Sequence, residues 1–586
     1  RYGKILIMTD QDYDGSHIRG LLINMFHELW HELIKVPGFI TYMATPIVKA
    51  DKGKLHKSFY TQYEYEEWRK TDASKGWKVK YYKGLGTSTR DEAKEYFKSL
   101  NIVNYSYSGD SSDASIDLAF NKAKADNRKD WLKTYDRSEI VNAKPGDNLM
   151  YEEFVNRDLI HFSNYNLERS IPNVMDGLKT SQRKILYSAF KRNLKSEIRV
   201  AQFAGYVSEH SGYHHGEASL NDAIVGMAQD FVGSNNMAWL VPQGQFGTRL
   251  QGGKDSASPR YIHTYLQPYV SQLVPSDDFD VLKYRDDDGT LVEPEWYAPV
   301  LPMLLVNGSR GIGTGYSTFI PSFNPEDLKS AIVQWLEKGT GLDREFAPWT
   351  RGFKGKITKI DNHDYFVQGV WKIDGDTATI TELPIGTWTS DFRETLDKLC
   401  IDGTIRDYTD TSTDTDVLVK VKIGTGGVPA IEKMLTDKIK LTNMHAFDSR
   451  CVIKKYDSPN AILNEFVCVR LELYGKRREF LLKELRDRLP YHENVVRFIK
   501  QQCEEIPVPD LRRQTSEKCD DLLSRQKFAK IKDSFDYLLN LPIASLTLKH
   551  AQKHEKDLVD LKQKIIDLEA QTPKSMWLKE LESLKY

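Results

Sequence analysis

The run Asp10-Gln11-Asp12-Tyr13-Asp14-Gly15, directly behind the apolar stretch Ile5-Leu6-Ile7-Met8, constrains this chain more than any other segment. Three carboxylates alternate where a buried strand meets solvent. Such a set repels itself unless a cation neutralises it, so a divalent metal is expected at Asp10, Asp12 and Asp14. The first six positions also fit a calcium loop, but that loop needs a preceding helix and a bidentate Glu at its twelfth position. Here the twelfth position is Leu21 and the preceding residues are strand-like. Carboxylates at the end of a sheet strand suit Mg²⁺, which takes few protein carboxylates and shares its shell with substrate phosphate. A polar strand-to-helix turn without metal remains the bland alternative.

With 586 residues the chain is too long for one core, and three to five domains are expected. Its 40% hydrophobic and 28% charged content is that of an ordinary globular protein. The net charge of -1 excludes a global field for nucleic acid, so such a partner needs local basic patches. Five dispersed cysteines without a CxxC pair suggest neither a zinc site nor a disulfide framework, and a reducing compartment fits. No apolar run is long enough to span a bilayer, so no membrane partner is expected. The chain opens in mid-strand without Met and reads as a piece of a longer protein.

The pattern predicts a strand over Ile5–Met8 and a helix over Ile18–Leu33, with Ile18, Leu22, Phe26, Leu29 and Leu33 on its apolar face. Trp77–Tyr81 reads as a strand. Residues 101–150 are polar and read as a connector, Ser106–Ser115 being a loop and Lys122–Tyr135 a charged helix. A turn at Met175-Asp176-Gly177 leads into a basic helix. Residues 300 to about 450 are rich in strands and turns. Beyond Ala461 come long helices: Ile462, Phe466, Val469 and Leu473 repeat at 4-3-4, and Leu558, Leu561, Ile565 and Leu568 at 3-4-3. Two such helices around a compact segment suggest an antiparallel coiled-coil arm with a knob, a plain helical bundle being the alternative.

Several segments carry chemistry. Lys83-Gly84-Leu85-Gly86-Thr87 can approach a phosphate closely, or simply make a tight turn. Lys179, Gln182, Arg183 and Lys184 sit on a helix after a turn, as a DNA-groove helix does, though a solvated face would read the same. His214-His215-Gly216-Glu217 lacks a third spaced ligand, and a polar contact suits it better than a metal. Gly252-Gly253-Lys254-Asp255 leads to Arg260-Tyr261, where a phenol can attack phosphorus and a guanidinium can stabilise the added negative charge. A packed tyrosine beside a surface arginine is the bland reading.

Taken in order, these segments resemble type IIA DNA topoisomerases. The resemblance rests on Asp10–His17, Lys83–Thr87, Glu168-Arg169-Ser-Ile-Pro172, Asp176–Lys179, Tyr213–Glu217, Phe231–Asn236, Gly252–Asp255, Arg260-Tyr261 and Gly311-Ile-Gly-Thr-Gly315. It covers nearly the whole chain. It looks like the eukaryotic form, because the metal-binding and tyrosine segments share one polypeptide.

The resemblance implies a multidomain α/β plus α fold. Residues 1–110 would be the C-terminal part of a Toprim domain and 111–150 a connector. A winged-helix domain with the catalytic tyrosine would span 151–300, an α/β tower 301–450, and a long antiparallel coiled coil with a helical C-gate 451–586. Tyr261 matches the nucleophile of a 5′-phosphotyrosyl link and Arg260 its transition-state partner. Arg169 and His215 match polar residues of the site, and Asp10, Asp12 and Asp14 the Mg²⁺ ligands. Ile312 matches an apolar wedge that bends DNA. Lys83, Lys179, Gln182, Arg183, Lys184 and Lys254 are the expected DNA contacts.

Double-stranded DNA and a second copy of the chain are the implied partners, each copy cutting one strand and its carboxylates serving the other copy's tyrosine. ATP is implied for the full-length enzyme, through a domain not on this chain, and the nucleus is the implied location, with a viral replication site or an organelle as alternatives. Three departures stand out. Thr180-Ser181 replaces Pro-Gly, Tyr13 replaces Gln, and His263 replaces Phe. The family's metal-binding Glu would precede residue 1. A Toprim-type nuclease and a non-enzymatic DNA-bending coiled-coil protein are the competing readings.

Overall fold

The computed structural model describes residues 3–60, 62–82, 88–141, 143, 146–287, 289–504, 511 and 514–586. Lys83, with the rest of 83–87, lies outside the described residues. Four strands form the first sheet in the order Ile5–Ile7, Ile40–Met43, Ile102–Ser106, Asn148–Met150. The outer pairs run parallel and the middle pair antiparallel. The expected connector is therefore half of this sheet. Val103 and Tyr105 alternate inward from Ile102–Ser106 and are buried, a period-two pattern hidden by polar neighbours. Ser106–Ser115 is likewise no loop, since a helix runs over Asp110–Phe120.

The helix behind the acidic run spans Tyr13–Leu29 and starts five residues earlier than Ile18. Its buried face is Gly15, Ser16, Arg19, Gly20 and Ile23, while Ile18 and Leu29 of the expected apolar face are exposed. Leu22 and Phe26 pack only at the core's margin. Close approach explains the inversion. A Cβ on Gly20 would lie 2.9 Å from the Phe120 ring and 3.3 Å from Leu159, so small residues must face the neighbouring helices. That core continues through Phe154, Leu159, Leu167 and Ile171, joining the sheet to the helix Ile160–Ser170.

A larger core gathers the helices Thr180–Lys191, Val200–Ser211 and Glu217–Ala228. It also takes in the helix Pro325–Lys338 and the start of Pro459–Gln502. Two antiparallel sheets follow, one of three strands within Lys356–Lys440 and one of four within Val370–Ile423. The four-stranded sheet has its own core around Ala378, Ile380, Leu396, Val419 and Val421. Residues 301–346, expected with this unit, supply Leu304, Leu328, Ile332 and Phe346 to the larger core instead.

Pro459–Gln502 and Leu548–Ala570 lie antiparallel: Arg486 pairs with Glu569, Glu493 with Lys562 at 2.9 Å, and Lys500 with Glu555. Their far ends close over a cluster that includes Phe498, Phe528 and Phe535. Ile462, Phe466 and Tyr474 enter the larger core, where the returning helix Pro573–Ser583 buries Trp577 and Trp577 Nε1 donates to Val300 O at 3.0 Å.

Two expected DNA contacts are structural. Asp176 is 0% and Arg183 3% exposed, and they pair through Nε···Oδ2 at 2.7 Å and Nη2···Oδ1 at 3.0 Å. Leu178 N and Tyr297 N also donate to the Asp176 carboxylate, and Arg183 donates to Leu178 O, so the pair is fully satisfied. Lys184 Nζ pairs with buried Glu293 at 2.9 Å and donates to Ser211 O. Neither cation is available to a phosphate; charge on a helix does not by itself place a residue on the surface. Arg183→Leu therefore destabilises the fold by about 3–5 kcal/mol, because it strands a buried carboxylate. Lys254→Ala, at an exposed position, stays within about 0.5 kcal/mol of wild type. A denaturation midpoint unchanged in Arg183→Leu would contradict this.

Candidate active site

The acidic residues are divided by the helix start rather than held on one loop. Asp10 precedes it, Asp12 is the N-cap, its Oδ1 accepting from Gly15 N at 2.8 Å, and Asp14 stands in the first turn. The unpaired N–H groups and the dipole of that helix end favour negative charge there. A Cβ on Gly15 would lie 1.9 Å from Asp10 O, so the backbone of Asp10 folds back tightly on the first turn. Two groups behind the turn lock the helix. Arg19 Nη2 donates to Asp158 Oδ2 at 2.7 Å, and Ser16 Oγ donates to Asp158 Oδ1 at 2.7 Å. Ser16 belongs to the Asp10–His17 motif read from the sequence and Arg19 lies just beyond it, while their shared partner is far along the chain.

Arg169, in the last turn of Ile160–Ser170, reaches Asp14 with both terminal nitrogens, at 2.9 and 3.4 Å. Its Nη1 lies 3.3 Å from His215 Nδ1, and its guanidinium stacks 4.6 Å over the Tyr165 ring. The Tyr165 hydroxyl is hydrogen-bonded to His215 Nε2. Arg169 and His215 are thus brought to Asp14, and Tyr165 is a further member of this group that the sequence reading did not single out. Its spacing of one helical turn from Arg169 was the available signal. Tyr13, the residue in place of Gln, points back to the same helix, 5.5 Å from Tyr165 and 6.0 Å from His161.

The carboxylates differ electrostatically. Burial raises Asp12 above the ordinary value, and the Asp14 and Asp10 charges add to it against the Gly15 hydrogen bond. The hydrogen bond to His215 lowers Asp14 to about 2; desolvation opposes it and Arg169 adds to it. Asp14 is therefore committed to its cationic neighbours. Asp12, strained by like charge, is the group a cation would relieve, and with Asp10 it supplies the oxygen donors that suit Mg²⁺.

Tyr261 is 72% exposed, while Ile262 beside it is buried and Ile262 O accepts from Val200 N at 3.0 Å. Arg260 is exposed too, its guanidinium 5.9 Å from the Tyr261 ring. The loop before them is fixed, not loose. Thr248 N donates to Asp255 at 2.8 Å, and Arg249 forms a buried ion pair with Glu382. Gly252 adopts φ +62° where a Cβ would strike Trp388. Among the described residues, no hydrogen bond or ion pair joins Tyr261 or Arg260 to Asp12, Asp14, Arg169 or His215. The acidic cluster and the Arg260-Tyr261 pair are thus carried on different segments, each held by its own contacts.

Ile312 is 78% exposed at the tip of the hairpin Ser309–Ile312/Ser317–Ile320. A Cβ on Gly311 would lie 2.0 Å from Ser170 O, and Thr314 N donates to Asn166 Oδ1 at 3.0 Å, so the hairpin is seated on the Arg169 helix. Lys179 Nζ donates to Arg310 O at 2.8 Å and Gln182 Oε1 accepts from Lys179 N at 2.9 Å, so both serve to position this hairpin and the helix behind it. Thr180, in place of Pro, uses its hydroxyl to donate to Glu168 O at 2.8 Å, a bond proline lacks. Lys254 is exposed.

This fold defines a class in which an acidic cluster at a sheet edge and an exposed Arg-Tyr pair are carried on separate units of one chain. A family model for the A subunit of DNA gyrase/topoisomerase IV matches residues 169–582, and one described as the C-terminal associated domain of TOPRIM matches 43–167. The DNA topoisomerase 2 of Plasmodium falciparum is 41% identical over 100% of this chain and 45% of its own length. That of Arabidopsis thaliana is 42% identical over 100% of the chain and 43% of its own length. The crystal structure of the P. falciparum topoisomerase II DNA-binding, cleavage and re-ligation domain matches with a TM-score of 0.80 and 40% identity, over 100% of this chain and 84% of that one. The chain belongs to the family of the DNA gyrase/topoisomerase IV A subunits, and its likeness is to the eukaryotic DNA topoisomerase 2 proteins. It spans less than half the length of those two relatives.

Asp14 gives the site a pH signature. Its folded value is depressed from 3.8 to about 2, so its stabilisation is full above the unfolded value and is lost as pH falls through that interval. The carboxylate is 38% exposed, which limits the size of the effect. Comparing thermal midpoints between about pH 5 and 2, Asp14→Asn lacks this part of the acid limb. Parallel acid limbs in wild type and variant would refute the assignment.

Proposed function

We propose that this chain is the DNA cleavage and religation core of a type II topoisomerase. The observation that carries the reading is the division of the site: an exposed Arg260-Tyr261 pair on a braced loop, and an acidic cluster held by Arg169 and His215. A nuclease that used the carboxylates alone would have no need of a fixed, solvent-facing tyrosine. In this reading residues 3–171 carry the Toprim unit, the helices around Thr180–Ala228 the winged-helix unit, the sheets of Lys356–Lys440 the tower, and the antiparallel helices the coiled coil and C-gate. Double-stranded DNA is the substrate and a homodimer the working unit, with ATP driving duplex passage in the whole protein. The nucleus fits the eukaryotic relatives; one relative is named as mitochondrial.

The Tyr261 oxygen attacks a backbone phosphorus. A phosphotyrosyl ester forms as the bond to the 3′ oxygen breaks; the phenol gives up its proton and the 3′ oxygen gains one. One ester replaces another, so resealing is the reverse reaction and needs no energy source. The Arg260 guanidinium places positive charge at the phosphoryl oxygens. Asp10 and Asp12 would hold Mg²⁺, which when bound supplies charge stabilisation at the phosphate and the leaving oxygen. Asp14 is a positioning residue that ties Arg169 and His215 to the cluster. Ile312 enters a base step and kinks the duplex, and Lys254 meets the phosphate backbone.

Denaturant trapping in Mg²⁺ is expected to leave the chain attached to 5′ DNA ends, with the adduct mapping to Tyr261. Tyr261→Phe loses the adduct and the cleavage together. Cutting that persists in Tyr261→Phe with free ends supports a nuclease instead, and Mg²⁺-independent binding with no nicking supports a purely architectural protein.

A further inference from the structure

Far along the first helix from Asp12, two imidazoles and a carboxylate converge at a place the cleavage reaction does not use. His27 Nε2 lies 3.1 Å and His31 Nε2 2.9 Å from the same oxygen, Oδ1 of Asp113. The three residues come from three segments: the last turn of Tyr13–Leu29, the short helix His31–Ile34, and the first turn of Asp110–Phe120. All their ligand atoms lie within 4.8 Å of one another. We propose that His27, His31 and Asp113 bind one divalent transition-metal ion of the zinc class, which clamps the end of the first helix to Asp110–Phe120.

The donor set favours this ion. Two imidazoles and a carboxylate suit zinc far better than magnesium or calcium, which take oxygen donors. A tetrahedral ion with bonds of about 2.0–2.2 Å sets neighbouring ligand atoms about 3.4 Å apart, so each imidazole need move from Asp113 Oδ1 by only about half an ångström or less. One outer partner is also in place. The Tyr107 hydroxyl donates to Asp113 Oδ2 at 2.5 Å, which leaves Oδ1 turned to the imidazoles. The Glu28 carboxylate lies 3.5 Å from His27 Nδ1 and adds negative charge beside the site, though without a hydrogen bond. His31 and Asp113 are 38% and 32% exposed, leaving an entry path and a fourth position for water.

The test is zinc uptake by the full chain in saturating Mg²⁺, which occupies the acidic cluster, measured by equilibrium dialysis and metal analysis alongside thermal melting. His492, His554 and Asp557 on the antiparallel helices form a second group of ligand type. The comparison is therefore made in a His554→Ala background. That chain takes up one equivalent that both His31→Ala and Asp113→Asn lack, and its melting midpoint rises with zinc where theirs do not. Loss of a ligand weakens binding by more than the roughly 10–100-fold that loss of an outer partner costs. Melting of the variants without zinc shows that they are folded. Equal zinc uptake by the background chain and either folded variant overturns the proposal.

Discussion

The contact between Arg169 and Asp14 is the one on which the working arrangement depends. It is two-pronged, partly shielded, and drawn between residues 155 positions apart. Arg169 is carried by the helix Ile160–Ser170, and that helix also supplies Tyr165 to His215 and Asn166 to the hairpin of Ile312. Just before it, Asp158 takes Arg19 and Ser16 of the first helix. A single stretch from Asp158 to Ser170 therefore fixes the acidic cluster, the histidine and the wedge relative to one another. Each contact is short and specific in direction, which sets geometry more than it adds stability.

Against this rigid hub stands the exposed pair Arg260-Tyr261. Its loop is braced by Thr248–Asp255, by Arg249–Glu382 and by the close approach of Gly252 to Trp388. The brace positions the phenol without enclosing it, which suits the nucleophile of the proposed function. Pairing with a second copy completes the site in the proposed function, and a dimer opened at that junction would separate the halves without unfolding either.

Much of this was legible in the residues, and the misreadings have a common cause. The strand Ile5–Ile7 with the acidic helix start behind it, and the exposure of Tyr261 and Ile312, follow the local residue pattern, because short motifs with unusual residue types report their own local geometry. Burial is a different matter. Arg183 and Lys184 read as a basic face, yet Arg183 is buried against Asp176 seven residues earlier and Lys184 is tied to buried Glu293, and nothing in the helix's own sequence announces a partner 109 positions away. Ile18 and Leu29 looked buried, but Gly15, Ser16 and Gly20 admit the closer neighbour. The strand Ile102–Ser106 was masked by polar flanks. Apart from Arg183, whose partner is local, long-range packing decides between faces that local pattern leaves equivalent.

The central claim is that Tyr261 of one chain works with the acidic cluster of another. Its most direct test is co-expression of two inactive chains, Tyr261→Phe and Asp12→Asn, followed by denaturant trapping on duplex DNA. In a mixed dimer one site joins an intact tyrosine to an intact acidic cluster, so the mixture should nick one strand and leave a covalent adduct on the Asp12→Asn chain, while each variant alone leaves none. Mixed dimers that form and yet neither nick nor attach would contradict the account.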